Sequence, residues 1–98
     1  MNYQIKLSTE TEEHLRALSS RQQIVVLDAI KEQLFHEPTV VTRNRKSMRP
    51  NPLASWELRA GELRVYYDVD DDKRIVYILA VGIKIRNQVR IGKEVITL

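Results

Sequence analysis

The sequence predicts an α+β domain in which two N-terminal helices pack on a mainly antiparallel sheet, in the order β-α-α-β-β-β. Three observations carry this reading. Apolar residues recur at helical spacing only between about residues 10 and 35, while alternating or continuous apolar runs fill the second half of the chain. A segment with three prolines and neither period separates the two regimes. Ninety-eight residues support one hydrophobic core, so the whole of 1–98 is read as a single domain.

The elements follow in order. Tyr3, Ile5 and Leu7 alternate with Asn2, Gln4 and Lys6, as in a strand with one buried face. Thr9 and Glu12 stand at capping-box spacing before a helix over 10–18 that turns Leu15 and Leu18 inward. Ser20 and Gln23 repeat the signal before a second helix, with Ile24, Leu27, Ile30 and Leu34 on its inner stripe as far as Phe35. Pro38 stops it. So short a connection makes the two helices an antiparallel hairpin. Residues 38–55 read as a long ordered loop with one turn of helix at most.

A hairpin begins at Trp56. Trp56, Leu58, Val65 and Tyr67 go to the core and Glu57, Arg59, Arg64 and Tyr66 to the opposite face, whichever of two registers the turn near Ala60 and Gly61 adopts. One register sets Glu57 opposite Arg64; the other sets Arg59 opposite Arg64 and Glu57 opposite Tyr66. After the acidic turn at 70–73, residues 75–81 are apolar almost throughout, as in a central strand. The tail adds one more strand around 89–91. With both helices on one face, the other is expected to stand open and to gather the basic elements.

Charge is distributed unevenly. Residues 1–38 carry four Lys or Arg against six Asp or Glu, and the remainder carries twelve against seven, for a net charge of +3. Arg43, Arg45, Lys46 and Arg49 crowd into the stretch 42–50, which fits a surface for an anionic partner such as nucleic acid. A solvated loop is the plainer alternative. The absence of cysteine excludes disulfides and thiolate chemistry and suits a reducing compartment. The longest apolar run, 75–83, is far below the roughly 20 residues of a membrane span, and the N-terminus does not read as a secretory signal. The expectation is a cytoplasmic domain with no membrane partner. His14 and His36 fall in the helical half and read as ordinary helix residues, so no metal site or cofactor is expected.

The order of elements, the strand LRVYYDV after a turn glycine, and the apolar strand ending in AVG with basic residues behind it resemble the RelE/ParE superfamily. Its members are toxins of bacterial type II toxin–antitoxin modules. The likeness spans nearly the whole chain and is most specific over WELRAGELRVYYDVDDDKRIVYILAVG. It implies a cognate antitoxin, with which the chain forms a hetero-oligomer. RelE-like members cut mRNA in the ribosomal A site without a metal, the 2′-hydroxyl attacking the adjacent phosphate in line. ParE-like members inhibit DNA gyrase.

The resemblance also assigns residues. Arg64 matches the phosphate-holding arginine of the family's strand, and a guanidinium suits that task because it is always charged and binds bidentately. Its plain alternative is a cross-strand ion pair with Glu57, worth about 0.2–1 kcal/mol. Lys84 falls where RelE-like enzymes carry a basic residue after the strand glycine. Glu57 stands where RelE has a lysine general base, and Arg90 where a base-stacking tyrosine often stands. A carboxylate can act as a base and an arginine plane can stack on a nucleobase, but both are departures. Arg59 and Tyr66 share the face of Arg64 and complete the catalytic candidates. Arg43, Arg45, Lys46, Arg49, Arg86 and Arg90 are the candidates for gripping RNA and ribosome. The expected function is a ribosome-dependent, metal-independent mRNA endonuclease. A gyrase inhibitor and a non-toxic antitoxin-binding module are the alternatives.

Overall fold

The structure, a computed structural model, describes residues 2–97. Strand β1 (Gln4–Leu7) leads into helices α1 (Thr9–Arg16) and α2 (Ser20–Leu34). Strands β2 (Arg45–Ser47), β3 (Trp56–Ala60), β4 (Leu63–Asp70), β5 (Ile75–Ile85), β6 (Gln88–Ile91) and β7 (Glu94–Thr97) follow. The class and the order of the main elements are as the sequence implied, but among the described residues the sheet has seven strands. It runs β2-β3-β4-β5-β6-β7 with antiparallel neighbours, and β1 pairs parallel to β5. Strand β2 lies inside the segment expected to be a loop. Three residues, Arg45, Lys46 and Ser47, are too few and too polar to display a period, so only pairing with β3 makes them a strand.

Both helices start one residue earlier than expected. Ser8 Oγ, not Thr9, accepts the N–H of Thr11 at 3.1 Å. Ser19 and Gln22, not Ser20 and Gln23, form the capping box of α2. Adjacent hydroxyl residues make the local signal degenerate, and tertiary contact chooses the phase: Thr11 is fully buried and its hydroxyl donates to the Ile78 carbonyl at 2.8 Å. On α2 the inner stripe is Val26, Ile30 and Leu34. Ile24 and Leu27, expected inside, are 61% and 41% exposed. Two apolar stripes run along this helix, and packing on the sheet admits one of them.

Strand β5 organises the sheet. One edge carries β4; the other carries β1 along Ile75–Ile78 and β6 from Gly82 to Ile85. Helix α1 fills the gap between them. Besides the Thr11 bond to Ile78, the Val81 N–H donates to Nδ1 of His14 at 3.3 Å. His14 is thus a joint between helix and sheet rather than an ordinary helix residue.

The hairpin of β3 and β4 takes the second of the two registers, Arg59 opposite Arg64 and Glu57 opposite Tyr66, with Gly61 at φ 60° in its turn. Leu58, Val65 and Tyr67 pack with Val26, Ile30 and Leu34 in the main core. Trp56 stacks on Tyr67 with ring centroids 6.2 Å apart. The far face is not open as expected. A second apolar cluster covers part of it: Tyr66, Ala80, Val89 and Ile91 beneath Met48, Leu53 and Ala54. The covering loop, 48–54, is shaped by Asn51, whose Oδ1 accepts the N–H groups of Leu53 and Ala54 at 2.7 and 3.1 Å. Strand β6 closes over Gly82, where a Cβ would lie 2.5 Å from the Arg90 carbonyl oxygen. Among the described residues no helix is long and apolar enough to cross a membrane.

Candidate functional site

Register places the site. On the face away from the helices, Lys46, Glu57, Tyr66 and Ala80 are successive ladder partners across β2, β3, β4 and β5. A second row runs Arg59, Arg64, Gly82, Ile91 and Glu94. Neighbours in a row lie about 4.8 Å apart, so cations, a carboxylate and a phenol share one small area. Lys84 continues this face two residues beyond Gly82 and is exposed.

Arg64 is 8% exposed, and its Nη1 donates to the carbonyls of Gly61 and Leu63 at 2.7 and 2.9 Å. The turn of its own hairpin thus orients the guanidinium, in place of the ion pair with Glu57 that the other register would allow. Its Nε and Nη2 make no hydrogen bond among the described residues and are not sealed from solvent, since Tyr66 Oη is the only fully buried, unpartnered side-chain N or O there. An oriented cation with a free donor edge is what an incoming phosphate requires. Arg59 donates through Nε to Glu57 Oε1 at 2.8 Å. This i, i+2 pair lies along one strand and holds the Glu57 carboxylate through one of its oxygens.

Tyr66 is 0% exposed, so the reading of it as an outward residue needs correction: it faces away from the helices but lies beneath the 48–54 loop. Its hydroxyl makes no hydrogen bond of normal geometry among the described residues. Burial first, then the charge of Glu57, hold it protonated well above the ordinary phenol range, against Arg64 and Arg59, which pull the other way. Tyr67, on the core side, is raised by burial too, and its Oη donates to Pro38 O at 2.6 Å.

The other candidates separate. Arg45 is 9% exposed; its Nε donates to Val40 O at 2.9 Å and its Nη1 to the Gln33 carbonyl. These bonds tie the loop to α2 and set Arg45 on the helix side of the sheet. Arg43 and Arg49 are exposed on either side of β2, and Lys46 within it. Arg86 sits at φ 59° in the β5–β6 turn. Arg90 pairs with Ile83 and Val95, which sets it on the helix-side face, away from Arg64. Among the described residues no group of three or more His, Asp or Glu stands together as metal ligands would.

Beside the cationic rows lies a groove of about 1340 Å³ between α1, the 48–54 loop and β6–β7, with Leu53, Leu79, Ile91 and Ile96 in its walls and His14 at its edge. Sequence reasoning missed it. The available signal was Asn51 between two prolines, a turn-forming pattern that folds the loop back over the sheet.

No protein-family model and no curated protein sequence matches the chain. Solved structures do. A chain of the RelBE2 toxin–antitoxin complex of Mycobacterium tuberculosis superposes with a TM-score of 0.74 at 26% identity, over 86% of this chain and 100% of that one. The chain is RelE-like. A chain of the archaeal RelE–RelB complex of Pyrococcus horikoshii OT3 shares the fold at 17% identity with a TM-score of 0.69, over 88% of this chain and 99% of that one. The resemblance read from the hairpin and the strand ending in AVG therefore has its counterpart in three dimensions. Within this RelE-like sheet, Arg64 and Gly82 are direct partners, so the arginine and the glycine that suggested the family meet at one point.

Proposed function

We propose that the chain is the toxin of a toxin–antitoxin pair and that it acts as a ribosome-dependent mRNA endonuclease. The observation that carries the reading is the Arg59–Arg64 pair beside Glu57 and Tyr66 on the face away from the helices, with Arg64 aimed by its own turn. The solved relatives are toxin–antitoxin complexes, which supports an antitoxin as the partner.

In this reading Arg64 offers its free N–H edge to the scissile phosphate, and Arg59 adds a second cation beside it. The 2′-oxygen attacks phosphorus while the bond to the 5′-oxygen breaks, and charge accumulates on the phosphoryl oxygens. Cations fixed before the reaction stabilise that charge without reorganising. Glu57 takes the 2′-hydroxyl proton. Arg43 and Arg49 flank β2 as phosphate contacts for docking, which makes binding sensitive to salt.

The test is toeprinting of mRNA on programmed ribosomes with the wild type and Arg64→Ala. New 3′ ends at the A site, reduced about 10²–10³-fold in Arg64→Ala, are expected. A folded wild type that leaves mRNA intact removes the nuclease reading. The second reading is then gyrase inhibition, favoured by Arg90, which lies on the face away from Arg64 and supplies no stacking group there. Poisoning of supercoiling in a gyrase assay would establish it.

A further inference from the structure

The geometry points to Lys46 as a further catalytic residue, the proton donor to the leaving 5′-oxygen; this rests on the nuclease reading. Nothing in residues 42–50 taken alone distinguishes Lys46 from the other cations of that stretch. The fold does.

Arg45 is buried and bonded to the carbonyls of Val40 and Gln33, which fixes β2 with Arg45 on the helix side. Alternation then places Lys46 on the opposite face, where it pairs with Glu57, which in turn pairs with Tyr66. Lys46 is exposed and makes no ion pair among the described residues, whereas Glu57 Oε1 is paired with Arg59. Its ammonium has no carboxylate partner among the described residues, while the Cβ atoms of Lys46 and of Glu57, the proposed base, lie about 5 Å apart as opposite residues. In the same row the Tyr66 hydroxyl is fully buried without a partner, a polar group left over by the fold at the floor of this area.

The steps balance. The 2′-oxygen forms a bond to phosphorus and its proton passes to Glu57. The bond from phosphorus to the 5′-oxygen breaks, and Lys46 delivers a proton to that oxygen. The products are a 2′,3′-cyclic phosphate and a 5′-hydroxyl. Protonated Glu57 and neutral Lys46, being cross-strand neighbours, then exchange one proton and return to their starting states. No metal or further reactant takes part.

The experiment measures single-turnover cleavage on programmed ribosomes for the wild type, Lys46→Ala and Lys46→Arg. Two mRNAs are used: one normal and one with sulfur bridging phosphorus to the 5′ carbon at the cut. A thiolate leaves without a proton, so the second mRNA bypasses an acid. On normal mRNA, Lys46→Ala is expected to lose about 10²–10⁴-fold in rate. Lys46→Arg keeps its charge and near-normal KM but loses a similar factor in kcat. On the sulfur mRNA both variants return to the wild-type rate. Lys31→Ala, on α2 across the sheet, serves as the charge control and cuts normally. An equal loss on both mRNAs assigns Lys46 to binding or folding and overturns the role, as does cleavage undiminished in Lys46→Ala. A wild type that cuts neither mRNA overturns the nuclease reading itself.

Discussion

Gly82→Ala tests how closely β6 approaches β5. A Cβ at this position would lie 2.5 Å from the Arg90 carbonyl oxygen, 2.8 Å from Val89 Cγ1 and 2.9 Å from Ile91 Cγ1. The two side chains can turn aside at a cost, but the carbonyl belongs to the strand. Carbon to carbonyl oxygen contacts settle near 3.3 Å or longer, so β6 would have to retreat by about 1 Å. The β5–β6 ladder of four residue pairs would stretch, losing about two hydrogen bonds at roughly 1 kcal/mol each. Overpacking in a filled region adds about 1–3 kcal/mol. We expect a loss of about 3–5 kcal/mol, or roughly 12 °C or more in Tm for a domain of this size. Thermal unfolding followed by circular dichroism measures the loss, and amide exchange locates it at β6. A Tm within about 3 °C of wild type, with β6 protection unchanged, would show that the strand accommodates the methyl and that close approach does not hold β6 in place.

Two further expectations concern groups away from the proposed reaction or separable from it. Tyr66→Phe should be neutral or stabilise by up to about 1 kcal/mol, because it removes a buried hydroxyl with no partner, whereas Tyr67→Phe should cost about 1–2 kcal/mol through the lost bond to Pro38. Urea midpoints decide; equal losses would mean that Tyr66 has a partner too. Burial lowers the His14 pKa from the ordinary 6.5, outweighing Glu13 and Glu10 on its own helix and Glu94 on β7, which raise it. The folded state then binds fewer protons than the unfolded one, so the contribution of His14 is complete above pH 6.5 and is lost as pH falls through the lowered folded value. His14→Gln keeps an acceptor for Val81 N–H without titrating near neutrality and should flatten stability between about pH 7 and 5. An unchanged slope would exclude His14 as its source.

The alternation from Trp56 to Val69 determined which residues of the hairpin face the helices, because parity survives a shift of the turn and both registers give the same split. The helices, the central strand and the resemblance to RelE were legible for the same reason: each rests on a local period or on a contiguous motif. Other features had no local signature. Whether Ile24 or Val26 points inward, and whether Ser8 or Thr9 caps α1, are near ties in sequence that long-range contacts break. Arg45 and Lys46 are adjacent cations of one basic stretch, yet one is buried on backbone carbonyls and the other stands opposite Glu57. The sequence by itself determined that Arg59 and Arg64 share one face of the hairpin and that further basic residues lie in the stretch before it. Only the tertiary structure decided which of them meet there, because a three-residue strand and a folded loop acquire their sides from the partners they pair with, not from a period of their own.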